Sequence, residues 1–463
     1  MTFLVPVVML GWLPAVFYLF MLLPERRAVI ASFVVAWLFL PVASYSLPGI
    51  PDYTKVTACS YGVFLATLLF KLRRCFSFRP SWLDLPMLVF CLCPFASSMT
   101  NGLGAYDGVS AVFAQFVAWG LPYLIGRIYL NDLSGLRQLA VGIFAGGLVY
   151  IPLCLLEMRI SPQLHRIFYG FHARADFGQT IRAGGYRPTV FMEHGLMVGL
   201  WMMAASLMGV WLWRTGAIER LWGVPLSWLV PVLLVTAVML KATGALFLLI
   251  LGIGMLFSTR WFRTCFLVLF LIVSLVLFAS VRASGVWDGQ QAVSISALAS
   301  NQERADSLKF RFDNENILSE KARLRPIFGW GGWGRARIYD ENGKDISVTD
   351  SLWIIVFGNQ GTVGLASLMA VLLVPPAAFC WRYPARKWSD PNLAPAASLA
   401  VLLILYMFDN MINAMGNPAY LLACGGLVGF LHAKTERRRL PAAQREKMLP
   451  VAAGGAGASM EPN

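Results

Sequence analysis

No charged residue interrupts the chain from Thr2 to Leu23, and apolar stretches of about 16 to 24 residues return from one end of the sequence to the other. A helix needs roughly 20 such residues to cross the hydrocarbon core of a bilayer, where only helices and closed barrels satisfy their backbone hydrogen bonds. The pattern predicts an all-α, polytopic helical membrane protein. Spans are expected near 3–23, 28–44, 55–70, 83–98, 109–125, 138–156, 191–213, 221–240, 244–258, 264–281, 361–380, 393–414 and 418–433. Composition agrees, since only 13% of the 463 residues are charged, against roughly 25% in soluble domains. The first span does not read as a cleaved leader, because no basic flank precedes it and Arg26 and Arg27 follow it.

Lys and Arg gather in alternate short loops: Arg26/Arg27, Lys71 to Arg79, Arg127/Arg137, Arg214/Arg220, Arg260/Arg263, Arg382 to Lys387 and Lys434 to Arg439. Cytoplasmic loops carry such an excess. This assigns the N-terminus to the outside and the C-terminus to the cytoplasm, and puts two long segments, about 157–190 and 283–350, on the outer face. Much of the net charge of +14 is then topology rather than a nucleic-acid footprint. The eight cysteines lie in apolar spans or beside a cytoplasmic loop and imply neither a disulfide framework nor a metal site. A single integral membrane domain is expected over 1–439, followed by a disordered cytoplasmic tail over 440–463.

The outer segments break the charge rule. The first holds Arg187 just before a span, and Lys241 sits in the tight outer turn Lys241-Ala242-Thr243-Gly244. Solvated or snorkelling cations are the ordinary reading. The sharper one is that cations from different helices converge on an anion at the outer leaflet, since Arg matches phosphate with a planar fork. In the second segment Leu308, Phe312, Ile317 and Leu318 predict a short interfacial helix over 308–320, stopped by Pro326. Then comes Pro326-Ile327-Phe328-Gly329-Trp330-Gly331-Gly332-Trp333-Gly334. Its glycines permit close backbone approach, and Trp330 and Trp333 suit a lipid–water interface or a sugar face. A short apolar helix follows over 350–357, which Thr349 or Asp350 could cap. Alternatively, Asp350 faces the cations, where a carboxylate can orient and deprotonate a hydroxyl.

Together these pieces resemble the O-antigen ligase and polymerase superfamily of bacterial envelope glycosyltransferases, over about 150–430. The likeness rests on Arg187-Pro188-Thr189-Val190-Phe191-Met192-Glu193-His194-Gly195, on the basic turn at Lys241, on Arg311 fifteen residues before Pro326-Ile327-Phe328-Gly329-Trp330-Gly331, and on the helix from Asp350-Ser351 to Gly361-Thr362-Val363-Gly364. The resemblance implies about twelve to thirteen transmembrane helices in the bacterial inner membrane, with periplasmic loops around the site. It also implies inverting, metal- and cofactor-independent transfer of a glycan from an undecaprenyl-diphosphate carrier to an acceptor hydroxyl. That acceptor is a lipid-linked repeat in a polymerase or a lipid A core sugar in a ligase, with membrane lipids and a polysaccharide chain-length regulator as further partners. By the same resemblance Arg187 and Lys241 hold the diphosphate, Arg311 supports them, and Asp350 stands where ligases place a histidine.

The chain departs from the pattern in two places that matter. Asp350 in place of histidine points towards a polymerase, and Lys241 in place of arginine gives up bidentate phosphate binding. Glu193 and His194 have no family role; His194 is the alternative base, or else an interfacial hydrogen-bonding histidine. Asp409 lies deep in its span, where ionisable residues mark function or helix packing. A transporter or flippase using Asp409, Glu157 and Glu193 is the rival of another class, although the halves show no paired repeats. A scaffold without chemistry is a second rival.

Overall fold

The computed structural model describes residues 2–439 apart from 77, 175–176, 183 and 300–301; the expected tail over 440–463 lies outside the described residues. The chain is an all-α polytopic membrane protein. Among the described residues eight helices are long and apolar enough to cross a bilayer, including Leu4–Leu22, Leu133–Ile160, Gly195–Arg214, Thr243–Trp261, Phe266–Ser284 and Leu352–Arg382. Each of the remaining expected spans also falls on a helix, such as Glu25–Phe39, Lys55–Phe70, Leu226–Met239 and Ala394–Asn410, but these are shorter. Strands among the described residues are confined to three two-residue hairpins.

Helix Gly195–Arg214 is the axis of the bundle. Trp201 and Trp211 on it are fully buried, Trp201 stacks on Tyr420, and Trp211 donates to the Trp388 carbonyl. Peripheral helices such as Leu4–Leu22 and Phe266–Ser284 bury only a seam and leave the rest of their apolar surface outward.

One end of the bundle gathers the basic short loops. Arg26 pairs with Asp132 at 2.5 Å, Arg74 with Glu25 at 3.0 Å, and Arg137 donates to the Ala217 carbonyl. Arg127 differs from the headgroup anchor its loop suggested. It is buried and grips both oxygens of Asp84, at 2.7 and 2.9 Å, because Tyr123 and the Asp84 carboxylate beside it make a polar niche within the fold.

At the opposite end the second long segment folds differently from expectation. Its helix runs over Gln302–Arg323, longer than 308–320, with Phe312 and Leu318 buried. The region over 350–380 is, as expected, a short helix followed by a span; the two meet within Leu352–Arg382 at a kink where Gly361 has φ 64° and ψ −160°. The glycine loop is fastened to that break by main-chain hydrogen bonds. Trp330 and Gly331 amides donate to the carbonyls of Gly358 and Asn359, and the amides of Thr362 and Val363 donate to those of Pro326 and Ile327, at 2.7 to 3.2 Å. A Cβ on Gly361 would lie 2.4 Å from the Ile327 carbonyl carbon and oxygen. Gly361→Ala therefore meets both a left-handed φ, at roughly 1–2 kcal/mol, and a backbone clash. It is expected to destabilise the protein by more than about 2 kcal/mol, measured as the unfolding midpoint in detergent; an unchanged midpoint would show that the two segments are not fastened this way.

Candidate functional site

Two clusters of charge lie at this end. In the first, Arg187 is buried and its Nη2 donates to the Lys241 carbonyl at 3.4 Å. The turn carrying Lys241 holds that residue at φ 54°, a conformation L side chains seldom adopt. A Cβ on Gly195 would fall 2.4 Å from Arg187 Cδ, and one on Gly185 2.5 Å from Lys241 Nζ, so glycine at both positions makes room for the two cations. The loop that delivers Arg187 is organised by Glu157, fully buried, whose carboxylate accepts the amides of Leu164, Thr189 and Val190 at 2.7 to 2.9 Å. Those three donors hold Val190 at φ 52°. Glu157 is thus engaged by three backbone amides.

Arg187, Glu193, His194, His165, His172 and Arg174 border one polar hollow. Glu193 is exposed, and His194 Nδ1 accepts the Leu196 amide at 3.0 Å, capping helix Gly195–Arg214. His165 accepts the Val42 amide through Nε2 and faces the Phe171 carbonyl through Nδ1. Burial holds its imidazole below its ordinary range, in keeping with a neutral ring. Lys55 was not apparent as a site residue in the sequence. It opens helix Lys55–Phe70, is buried, donates to the Phe191 carbonyl at 3.1 Å and stands 5.0 Å over the Trp37 ring.

The second cluster holds Arg311, Asp350 and Asp409. Arg311 Nε stands 3.8 Å from Asp350 Oδ2, both half-exposed, and its Nη1 donates to the Ile412 carbonyl at 3.2 Å. Neither Thr349 nor Asp350 caps the following helix: Thr349 accepts from Arg337, and the Leu352 amide donates to the Asn413 carbonyl. The helix end is satisfied by a neighbouring chain segment, so Asp350 remains turned to Arg311. Asp409 accepts Asn413 Nδ2 at 2.8 Å. Its other oxygen is buried without a hydrogen bond among the described residues, facing the field of Arg311. Beneath lies a network the sequence did not reveal. Glu315 accepts Arg282 Nη2 at 3.0 Å, Ser351 Oγ at 2.6 Å and Trp353 Nε1 at 3.2 Å, and Arg282 is 1% exposed.

The helix that follows the Lys241 turn touches the helix that carries Asp409 through Phe247 and Phe408, whose ring centroids are 5.9 Å apart. Trp330 serves the scaffold, with Arg325 4.7 Å over its ring and its Nε1 donating to the Lys321 carbonyl. Trp333 is 81% exposed and borders a cleft of about 160 Å³ with Arg337, Thr349 and Asn359. No protein-family model and no curated protein matches the chain.

Proposed function

We propose that the protein is an inverting membrane glycosyltransferase of the periplasmic face of the bacterial inner membrane, extending a polysaccharide from an undecaprenyl-diphosphate-linked donor. The observation that carries this reading is that buried Arg187, bonded to the Lys241 turn, and the Arg311–Asp350 pair occupy one end of an apolar bundle, on elements that touch through Phe247 and Phe408. On this reading the acceptor hydroxyl donates its proton to Asp350 as its oxygen attacks the anomeric carbon from the face opposite the diphosphate. The bond from that carbon to the diphosphate oxygen breaks, and the charge growing on the leaving group is met by Arg187 and Lys241, with guanidinium and ammonium groups taking the part a metal ion plays in other transferases. A diphosphate arriving between the clusters also competes for Arg311. The loose 3.8 Å contact then opens and leaves the Asp350 carboxylate to the acceptor.

Lys241 binds as a point charge, so Lys241→Arg is expected to keep activity within about tenfold, whereas Lys241→Glu removes it by about 100-fold or more; equal polymer from wild type and Lys241→Glu would take this residue out of the site. The reading as a whole is tested by deleting the gene and analysing cell glycans. Short unpolymerised repeats support a polymerase, lipid-linked polymer that never reaches lipid A core supports a ligase, and unaltered glycans refute both. Transport of the lipid-linked glycan in sealed vesicles with no new glycosidic bond would establish the flippase alternative instead.

A further inference from the structure

Helix Phe266–Ser284 separates two apolar hollows. On one face Leu271, Leu275 and Phe278 line a cavity of about 310 Å³ that reaches Arg311 and Phe408. On the other, Ile272, Val276, Ala279 and Ala283 line a groove of about 780 Å³ against helix Leu352–Arg382, ending at Arg323. The first set repeats at intervals of three and four, and the second does so one residue out of phase, so they are two stripes of one helix. Each hollow is closed at its polar end by a guanidinium, and both guanidiniums come from the one helix Gln302–Arg323.

The groove at Arg323 runs along Leu352–Arg382 from Thr362 to Ala377, roughly 22 Å at 1.5 Å per residue, most of an apolar leaflet-to-leaflet thickness of about 30 Å. Its walls are aliphatic, with Ser280 and Ser284 near the charged end. Arg323 gives one hydrogen bond, to Ser319 Oγ at 3.1 Å, and is half-exposed. An apolar trough with a cation at one end complements a lipid that has a long hydrocarbon chain and an anionic phosphate head.

Resting on the reading above, we propose that this groove holds the chain of a second polyprenyl-diphosphate lipid, the acceptor, while the cavity at Arg311 holds that of the donor. One helix carrying both cations, at Arg311 beside Asp350 and at Arg323 roughly 18 Å further along at 1.5 Å per residue, would fix the spacing of the two heads. A lipid-linked acceptor on this side favours polymerisation over transfer to lipid A core.

The test is a count of bound lipid. Protein in phosphatidylcholine nanodiscs is titrated with C55 polyprenyl diphosphate and read by native mass spectrometry. Two equivalents are expected for wild type, and one for Ala366→Trp, which fills the groove from an exposed position. Arg323→Ala, a second variant with no added bulk, is expected to give one as well. Retention of two equivalents by both variants would overturn the groove assignment alone. So would displacement of the second equivalent by a tenfold excess of phosphatidylglycerol, which would make the groove a general site for bilayer phospholipid. Wild type binding a single equivalent that is lost in Arg187→Ala but kept in Ala366→Trp also sinks only this assignment. No binding to wild type would sink the donor reading with it.

Discussion

Asp350→Asn is expected to lower the rate of chain growth on a lipid-linked repeat by about 10²- to 10⁴-fold, the range over which a positioned general base acts, while the protein still inserts and melts as wild type does. Asn keeps the shape and an acceptor oxygen but cannot take a proton. Among the described residues the carboxylate pairs with Arg311 at 3.8 Å, and Asp350 is half-exposed, so little folding energy is at stake. Arg187→Ala is expected to cost about 10²- to 10³-fold, the scale of losing one donor aimed at developing charge. Both are measured as polymer formed by purified protein from a lipid-linked repeat, beside a thermal melt. Normal polymer from both variants would end the assignment of roles. Residual activity in Asp350→Asn that disappears in the double variant with Asp409→Asn would instead place the proton on Asp409, whose free oxygen faces the same arginine.

Glu315→Ala is expected to be the most destabilising single change, by about 3–5 kcal/mol. It strands Arg282, 1% exposed, as a buried charge without its counter-ion, and leaves Ser351 Oγ and Trp353 Nε1 without their acceptor. Arg282 lies 4.9 Å over the Phe312 ring, which cushions the cation but gives it no hydrogen bond. The companion double variant Arg282→Met/Glu315→Leu should recover most of that loss, because well-packed apolar groups of similar volume replace a buried pair at little net cost. Unfolding in detergent measures both. A single variant as stable as wild type would mean that water reaches this pair. Since Ser351 adjoins Asp350, the single variant is also expected to loosen the Asp350 loop and lower activity, an effect the double variant would not restore.

Span positions were legible because a twenty-residue apolar run has few other fates in a bilayer. The basic loops were legible as a set, since they do meet at one end of the bundle. Pairings within the set were not, because whether a guanidinium such as Arg127 seeks headgroups or a buried carboxylate depends on which loop faces it across the fold. Arg187 and Lys241 could be nominated from their places at span ends, Asp350 from its place at the front of a short apolar helix, and Arg311 only from the resemblance. Lys55 and Glu315, and the buried roles of Glu157 and Arg282, escaped notice for a common reason. Each looks like an ordinary polar residue at a helix end or in a charged loop, and its partners lie far off in sequence: Phe191 for Lys55, Thr189 and Val190 for Glu157, Glu315 for Arg282. The break at Gly361 was legible, because the glycine cluster reads as the gap between two helices. What fastens that break was not, since a join made from outside by another loop leaves no mark in local sequence.

That fastening uses amides and carbonyls only. The residues between the essential glycines, such as Trp333 and Asn359, which border a common cleft, can therefore be exchanged without undoing the join. On the proposed reading, a change of sugar preference then needs only those side chains rewritten on an unchanged peptide frame, with Asp350 kept at its station throughout.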